Sequence, residues 1–557
     1  MAHPLFEKHQ DTLQQALAAS RGRGHWSAYS ENPKTYGENA VDEGRQAFSA
    51  YFDAQFYLDQ PGVMGRVNAE ASPYGLTLDI SYPQCSPDAL IAAAKNATTS
   101  WIRAGADVRA GVCAEILERL NAHTMEIAHA VMHTTGQSFM MAFQSGGPHA
   151  QDRGLEAVAM AWGEMKNVPE SARWEKPQGA QPPLVIDKHY TIVPRGVALL
   201  IACATSPTWH AYPALFASLV TGNPVIVKPH PSAILPLAIT VAMARHTLKE
   251  AGFDPNLVCL LTDDPSALIA KDVAVRPEIR VIDYTGGSEF GEWLQDNARQ
   301  AVVFAEKACV NCVVIESTDD YKGMLRNLAV TLSLYSGQTS MAPQTILVSS
   351  EGVSTPTGRV EADQVGRDLS LAISTLLADN ARAVEVLGAI QSPATLARID
   401  AMREFGEESG QILRDSAAME HPHWPEARIR TPMLLRVEVS DRRVYMEECF
   451  GPISFIVETA TASESISVAE RILREKGGVT LAVYSTNPVI QQLAEDAALR
   501  AGVSLSFNLT GSLFLTQSAA FSDFHGTGAN PAASACLVDA AFVASRFSIV
   551  QTRRHAG

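Results

Sequence analysis

Apolar residues recur at helical spacing in the first third of the chain. Between residues 87 and 136 they return every three or four positions, and a similar run covers residues 150–165. Apolar positions at that spacing form one face of an α-helix. Asp88 stands near the start of the first run, and Gly105 and Gly136 stand near helix ends. We therefore predict a mainly helical segment before about residue 165.

From residue 196 the pattern changes to short, continuous apolar runs separated by helical ones. Continuous apolar strands that alternate with helices indicate a parallel sheet covered on both faces. The predicted fold class is therefore α/β. The predicted strands cover residues 197–202, 224–227, 258–261 and 281–284, and the predicted helices cover residues 214–220 and 233–250.

A second α/β unit is predicted from residue 306 to about residue 511. In this interpretation Glu306 opens the apolar strand at 313–315, and a helical run at 324–335 leads through a polar turn to a strand at 345–348. Further helices are predicted at residues 368–387 and from an N-cap at Ser463 to 474, and further strands at residues 432–437, 481–484 and 503–506.

Residues 171–192 differ from both units. A turn-rich cluster at 176–183 precedes alternating apolar and polar positions, which indicates an exposed β-hairpin. The predicted domains are an N-terminal extension (1–80), a first domain (81–170 and 193–305), a second domain (306–514), and a hairpin with a C-terminal tail (171–192 and 515–557). The extension has a mixed secondary-structure pattern and is rich in turn-forming residues, and we assign it no catalytic or binding role.

Composition narrows the functional classes. The 557 residues include 46% apolar and 19% charged residues, as in an ordinary globular protein, and the formal net charge is −16. That charge argues against binding to nucleic acid or to an anionic membrane surface. Eight scattered cysteines fit a reduced cytoplasm, and we expect no signal peptide and no membrane span.

Two positions suggest chemistry. Ser340 lies in a polar Gly-Gln turn between two apolar elements, where a loop can direct a side chain into a cleft. Glu306 lies upstream in apolar surroundings, and a buried carboxylate is costly unless it has a partner or a function.

The segment around Ser340 also carries a family resemblance. Residues 336–344 read Ser-Gly-Gln-Thr-Ser-Met-Ala-Pro-Gln, which resembles the Gly-Gln-x-Cys-x-Ala-Pro-Gln pattern, preceded by a glutamate, of the aldehyde dehydrogenase superfamily. The resemblance covers nearly the whole chain and is closest to members from phenylacetate degradation, on residues 132–137, 147–154 and 520–531. It implies an NAD(P)-dependent oxidoreductase acting on a small-molecule aldehyde, a CoA-linked semialdehyde from the opening of the phenylacetate ring. It also implies a homodimer or homotetramer paired through the hairpin.

The resemblance implies a set of cofactor-binding residues. Lys228, at the carboxyl end of a predicted strand, would bind the adenosine ribose, and a glycine-rich turn would approach the phosphates. Pro231 stands where the family has its NAD-selecting glutamate, which favours NADP over NAD. The residues implied are Lys228 for the ribose, Gly286, Gly287 and Ser288 for the phosphates, and Glu448 and Phe450 for the nicotinamide half.

The implied catalytic residues depart from the family pattern. Glu306 matches the general base, and Lys307 beside it is expected to pair with it and lower its pKa. Ser340 replaces the nucleophilic cysteine, and a hydroxyl needs an adjacent base. Thr205, or its neighbour Ala204, replaces the oxyanion-stabilising asparagine, a loss that typically costs about 10²–10³ in rate.

Several alternatives remain open. Cys203 could be a relocated nucleophile, and Cys309 with Cys312 could be a redox pair, although on a strand they would face opposite sides. We predict no metal, because the histidines, among them His210 and His525, lack metal-ligand spacing and nearby carboxylate partners. Two other functions compete with an oxidoreductase: a nucleotide-binding pseudoenzyme and a cofactor-independent serine hydrolase.

Overall fold

A parallel five-stranded sheet forms the centre of the first half of the chain in the computed structural model, which describes residues 3–556. Each neighbouring pair of its strands is parallel, and the inner strands Val197–Ile201 and Val225–Lys228 are fully buried, which confirms the α/β prediction. In spatial order its strands are Val258–Leu260, Val225–Lys228, Val197–Ile201, Ile279–Gly286 and Val302–Lys307. The helices that follow them in the chain are Pro207–Val220, Leu235–Glu250, Ala270–Ala274 and Ser288–Asn297.

Long helices cover this sheet, as the apolar spacing predicts. The first of them contains Gly105 at φ 81°, a left-handed conformation that interrupts the regular helix where the sequence suggested an end. Two helices of the N-terminal extension, Pro4–Gly22 and Ala40–Ser49, pack against the long helices rather than forming a separate body. The helices of this segment span Pro87–Ala122, Thr124–Thr135, Phe139–Gln144 and Ala150–Lys166, of which the third has only six residues, with a π-helical turn at Ser145–His149.

A seven-stranded sheet organises the second half. Its strands are parallel except the edge strand Gln411–Arg414, which runs antiparallel to its neighbour. In spatial order the strands are Gln411–Arg414, Met433–Glu438, Ile453–Thr459, Pro343–Ser349, Asn311–Ile315, Thr480–Tyr484 and Ser504–Phe507. Its helices are Tyr321–Ser333, Ala362–Leu376, Asn380–Leu387, Pro393–Glu408, Arg442–Tyr445, Ala462–Lys476 and Pro488–Ala501.

The predicted hairpin is the core of a third, exposed sheet. Ser171–Gln178 and Gln181–Pro194 pair antiparallel, and the tail strand Phe547–His555 joins the other edge. Between the tail strand and the preceding short helix Ala540–Ala544, buried Arg546 forms an ion pair with Asp283 at 2.6 Å and fixes the tail to the five-stranded sheet. The minor elements are strand pairs Val63–Val67 with Tyr82–Cys85, Val353–Thr355 with Gly358–Val360 and Ala418–Met419 with Ile429–Arg430, and short helices Pro33–Tyr36, Pro255–Leu257 and Leu334–Gly337.

Glu306 belongs to a different strand from the one the sequence suggested. It lies near the end of Val302–Lys307, at the edge of the five-stranded sheet, and the strand Asn311–Ile315 belongs to the other sheet. Cys309 therefore lies in the loop between the two strands, and only Cys312 is on a strand. The prediction that both cysteines share one strand was wrong.

Other local differences have simple causes. The helix expected from Ser463 begins at Ala462, because the Thr461 hydroxyl accepts the Glu464 amide as the N-cap. The helical stretch at 368–387 is two helices, with Asp379 as the N-cap of the second. The helices Pro393–Glu408 and Pro488–Ala501 were not predicted, although each carries proline in its first turn. Among residues 3–556, no helix is both long and apolar enough to cross a membrane.

Candidate active site

One large cavity of about 2220 Å³ opens where strands of the five-stranded sheet end. Its wall includes the carboxyl ends of four strands, at Ile201, Lys228, Gly286 and Lys307. Open α/β sheets bind ligands at this edge, and the volume exceeds the roughly 300–1,000 Å³ of an ordinary small-molecule pocket. Of the predicted site residues, all but Ser288 line it: Ser340, Glu306, Thr205, Lys228, Gly286, Gly287, Glu448 and Phe450.

Glu306 is held by two histidines. Its Oε1 lies 3.0 Å from His525 Nε2 and 3.3 Å from His210 Nε2, and all three side chains are largely buried. Lys307, the expected partner, instead contacts Gln295 at 3.2 Å and Glu292 at 3.8 Å. The prediction of a Lys307 pair was therefore wrong, because successive residues on a strand point to opposite faces.

His210 connects Glu306 to a cysteine. Cys203 Sγ lies 3.7 Å from His210 Nδ1, on the opposite edge of the imidazole from Glu306. Cys203 is in the loop between the strand Val197–Ile201 and the helix Pro207–Val220, and His210 is in the first turn of that helix. A strand-loop-helix connection therefore brings a thiol and an imidazole together, and the carboxylate arrives from the sheet's edge strand.

These groups shift one another's protonation. Burial alone would raise the pKa of the Cys203 thiol, but the charge and hydrogen bond of His210 and the amides of Ser206 and Thr205 lower it. Burial would lower the pKa of His210, but Glu306 and Cys203 hold it well above its ordinary value. The pKa of Glu306 lies well below its usual range, because the two histidines outweigh the opposing effect of burial. The arrangement favours a thiolate, an imidazolium and a carboxylate.

Ser340 has different surroundings. Its hydroxyl forms no hydrogen bond with the described residues, while its carbonyl oxygen accepts from Asn311 Nδ2 at 2.7 Å and from Cys309 Sγ at 3.4 Å. The turn before it is strained, with the non-glycine residues Tyr335 and Ser336 at φ 51° and 48°. Buried hydrogen bonds hold this conformation, including Tyr335 to the Thr135 carbonyl at 2.5 Å.

Thr205 occupies the cavity wall beside Cys203. Its carbonyl oxygen accepts Gln137 Nε2 at 2.8 Å and the Tyr335 hydroxyl at 3.3 Å, which fixes the loop. Within residues 3–556 no hydrogen-bond partner is found for the Thr205 hydroxyl. Gln137 ends the segment 132–137 that carries part of the resemblance, so this segment supports the loop that carries Cys203.

Another part of the cavity contains most of the remaining predicted residues. The Lys228 ammonium is buried and donates to Asp263 at 2.8 Å. Gly287 precedes the ten-residue helix Ser288–Asn297, and a Cβ placed there would meet nothing within 4 Å. Open space at a helix N-terminus fits the approach of a phosphate group to backbone amides.

The last predicted cofactor residues differ in whether they face the cavity. The Ser288 hydroxyl donates to the Ala308 carbonyl at 3.3 Å and does not face the cavity. Glu448 is open to the cavity although protein surrounds it, and this environment raises its pKa. The Phe450 carbonyl accepts Arg398 at 2.7 Å, which fixes the backbone that presents the ring. Apart from Ser288, these side chains suit a dinucleotide.

The same cluster offers three possible metal ligands. One nitrogen each of His210 and His525 and one Glu306 oxygen lie within 4.8 Å of one another. The sequence argument that these histidines lack a nearby carboxylate was therefore wrong. His525 Nδ1 is buried and finds no hydrogen-bond partner among the described residues, whereas a metal-bound histidine normally donates its other nitrogen to an acceptor.

The N-terminal extension forms part of the cavity, which the sequence did not reveal. Residues 25–31 line it. Buried Asp152 fixes this segment by accepting the Ser27 hydroxyl at 2.6 Å and the Ala28 amide at 2.9 Å. Trp26 packs edge-on against Phe521 at 4.7 Å between ring centroids.

Two of the resembling segments also meet here. Arg153, from residues 147–154, donates to the carbonyl of Asp523 at 2.9 Å and to the Ser518 hydroxyl at 2.7 Å. These contacts hold the stretch that carries His525 next to Glu306. Segments far apart in the sequence therefore assemble one wall.

Comparison with known proteins gives a consistent result. The chain is 54% identical to a solved structure described as an NAD-dependent aldehyde dehydrogenase from Burkholderia multivorans, with a TM-score of 0.98 and full coverage of both chains. An NADP-dependent glyceraldehyde-3-phosphate dehydrogenase from Bacillus halodurans C-125 shares the fold at 18% identity, with a TM-score of 0.69 over 89% of this chain and 96% of that one.

A curated relative is more distant. The chain is 21% identical to a 1-pyrroline-5-carboxylate dehydrogenase from Bacillus thuringiensis (strain Al Hakam) over 306 residues, which are 54% of this chain and 56% of the relative. The match therefore spans little more than half the length of that relative. The profile of the aldehyde dehydrogenase family matches residues 83–502, most of the chain. The chain belongs to the aldehyde dehydrogenase family.

Proposed function

We propose that this protein oxidises an aldehyde to a carboxylic acid with NAD or NADP. The observation that carries the proposal is the shared cavity: residues suited to a dinucleotide and a cluster of reactive side chains line the same space. The relatives named above as NAD- and NADP-dependent dehydrogenases support the choice of cofactor.

The nicotinamide cofactor, when bound, accepts a hydride from the substrate. Lys228 and the start of the helix after Gly287 would hold its ribose and phosphates, and Glu448 and Phe450 would hold its nicotinamide half. The Glu306–His525 pair would take the proton of the water that releases the acid. Thr205 and its backbone would stabilise the oxygen of the reacting carbonyl.

Pro231 supports the use of NADP, because no carboxylate is present there to repel a 2′-phosphate. The relative named as NAD-dependent supports NAD. A Pro231→Glu variant separates the two: it should lower kcat/KM for NADP by about tenfold or more through charge repulsion and leave kcat/KM for NAD nearly unchanged.

The substrate that we propose is a CoA-linked semialdehyde formed when the ring of phenylacetate is opened. Two features support it. The three segments that resemble phenylacetate-degradation proteins all support or line this cavity, through Gln137, Arg153 and His525. The volume of about 2220 Å³ also leaves room for a large substrate beside a dinucleotide.

The test is formation of NADH or NADPH with three substrates: the CoA-linked semialdehyde, the same aldehyde without CoA, and phenylacetaldehyde. We expect the highest kcat/KM with the CoA-linked compound. A preference for the free aldehyde would contradict the CoA-linked substrate. Tight NADP binding, measured by calorimetry, with no turnover of any aldehyde would favour the pseudoenzyme alternative.

The serine hydrolase alternative receives less support. A serine nucleophile needs an adjacent base, and no group of the described chain forms a hydrogen bond with the Ser340 hydroxyl. We also propose that the protein is cytoplasmic and that its exposed three-stranded sheet pairs subunits into a homodimer or homotetramer. Analytical ultracentrifugation would test the oligomeric state.

A further inference from the structure

We propose that Cys203 is the covalent nucleophile of this enzyme, activated by His210 and by the start of the helix Pro207–Val220. The proposal rests on the proposed aldehyde oxidation and names the group that begins it. The family pattern would place the nucleophile at residue 340. The proposal places it instead in the loop after the strand Val197–Ile201 of the five-stranded sheet.

The first support is the thiol's contact with an imidazole. Cys203 Sγ and His210 Nδ1 are 3.7 Å apart, and Glu306 lies on the other side of the ring at 3.3 Å from Nε2. Thiol, imidazole and carboxylate in line form the arrangement that activates cysteine nucleophiles. The 3.3 Å contact lacks the direction of a hydrogen bond, so Glu306 acts on His210 chiefly through its charge.

The second support is the backbone around Cys203. The loop leads into a 14-residue helix whose N-cap, Ser206, makes no side-chain capping bond, so the amide groups of this end remain available. A helix N-terminus stabilises a thiolate and lowers its pKa. The amides of Ser206 and Thr205 contribute in this way to Cys203.

The third support comes from the other thiols. Within residues 3–556, Cys203 is the one cysteine whose pKa is lowered, and the other seven pKa values are raised. Cys309 also lines the cavity, but burial and the charges of Glu448 and Glu306 raise its pKa. A thiol that stays protonated is a poor nucleophile.

The remaining titratable groups that face Cys203 do not oppose this assignment. Besides His210 and Glu306 these are Tyr284 and Tyr335, and burial raises the pKa of both phenols, so they stay neutral at ordinary pH. His525 lies behind Glu306 and bonds to it. The sulfur of Cys203 therefore faces the His210 ring, with the Glu306 carboxylate beyond that ring, and two neutral phenols.

The covalent step balances with NAD(P) as the oxidant and water as the second reactant. The Cys203 sulfur forms a bond to the aldehyde carbon, the carbonyl π bond breaks, and its electron pair moves to the oxygen, which takes a proton from His210. The hydride of that carbon would pass to bound NAD(P), the hydroxyl proton would return to His210, and the carbon would be held as a thioester of Cys203. Water then adds to that carbon and gives a proton to the Glu306–His525 pair, the carbon–sulfur bond breaks, and its electron pair returns to Cys203 as the acid leaves.

The decisive experiment needs no cofactor. The full-length protein is treated with p-nitrophenyl acetate, in which attack by a nucleophile forms an acyl bond and releases p-nitrophenolate. Intact-mass and peptide mass spectrometry locate the acetyl group. In parallel, the rate of alkylation by iodoacetamide is followed against pH at each cysteine. The variants are Cys203→Ala, His210→Asn and Ser340→Ala, with Cys536→Ala as a half-buried control thiol outside the cavity.

We expect the acetyl group on Cys203, and alkylation of Cys203 with a midpoint below the ordinary thiol pKa of about 8.5. His210→Asn should move that midpoint upward by about one pH unit or more, and Cys203→Ala should abolish both acylation and aldehyde oxidation. Circular dichroism verifies that each variant folds. Acetylation of Ser340 or Cys309, or aldehyde oxidation by Cys203→Ala at the wild-type rate, would overturn the proposal.

The same data separate this proposal from the proposed function. Wild-type protein that is acetylated at Cys203 but oxidises no aldehyde would contradict the proposed function and support the assignment of the nucleophile. Oxidation that persists in Cys203→Ala and is lost in Ser340→Ala would support the function and overturn the nucleophile.

Discussion

Two loops face the same cavity but offer very different chemistry. The loop with Cys203 gives its side chain an imidazole at 3.7 Å and the start of a helix. In the turn with Ser340 the hydrogen bonds are made by the backbone: Asn311 donates to the carbonyl oxygens of Ser340 and Ala342. The difference teaches that position in a family pattern and activation of a side chain are separate properties.

The largest expected effect is that of His210→Gln. Replacing the imidazole removes both the cation beside Cys203 and a proton-transfer group, so kcat/KM for aldehyde oxidation should fall by about 10²–10⁴-fold. The matched variant His149→Gln replaces a half-exposed histidine of the same cavity that pairs with Glu31, and it should lose far less. Equal losses in the two variants would show that the comparison between the loops is wrong.

The pH dependence of aldehyde oxidation should also differ between the wild type and His210→Gln. Because the folded-state pKa of Cys203 is lowered, the reactive thiolate persists as the pH falls below about 8.5, and activity is lost only when the pH falls through the lower folded value. In His210→Gln the loss should begin at a higher pH. Profiles of kcat/KM against pH that coincide for the two proteins would contradict this explanation.

Glu306→Gln should lower the stability of the fold as well as the activity. The change removes the carboxylate between His210 and His525 and leaves a buried imidazolium unpaired, which should cost about 3 kcal/mol in the free energy of unfolding at neutral pH. Urea unfolding measures it, with exposed Glu289→Gln as the control. Because the folded-state pKa of Glu306 is depressed, its stabilisation is complete above about pH 4.3 and declines as the pH falls through the folded value. The difference between wild type and Glu306→Gln should therefore narrow in acid.

Ser340→Cys should have a smaller effect. If Cys203 is the nucleophile, a second thiol at residue 340 should change kcat less than about tenfold, and the double variant Cys203→Ala/Ser340→Cys should remain inactive. A gain of about 10²-fold or more in the single variant would instead identify the turn at 340 as the reacting position.

The smallest effect concerns metals. Removing divalent cations with a chelator should leave aldehyde oxidation unchanged, because the Glu306 carboxylate already contacts both histidines and His525 Nδ1 lacks the acceptor that orients a metal-bound histidine. Stoichiometric zinc by elemental analysis, lost together with activity on chelation, would contradict this.

The sequence predicted the fold better than the site. Alternating apolar strands and helices were enough for the parallel sheet, because burial on both faces leaves a strong local pattern. The sequence pattern assigned Glu306 to the wrong strand, because the loop at 308–310 is as apolar as the strands on either side. It also could not connect His525 with Glu306, because more than two hundred residues separate them and only folding brings them together.

The sequence does contain one local signal for the pair Cys203 and His210. Cys203 and His210 are close in sequence, at a predicted strand-to-helix connection where both side chains can face the same cavity. Without the neighbouring imidazole, a lone cysteine such as Cys203 carries little information. The packing of residues 25–31 left no comparable signal, because that segment has no regular period.

The wall formed by residues 25–31 lies outside the span that matches the family profile. The span matched by the family profile therefore contains Cys203, His210 and Glu306, whereas residues 25–31, which lie outside it, contribute to the shape of the opening. Changes in that segment can alter which molecules enter without touching Cys203, His210 or Glu306. In such a protein, selectivity and reactivity can diverge independently during evolution, and a designer could exchange the segment as a module.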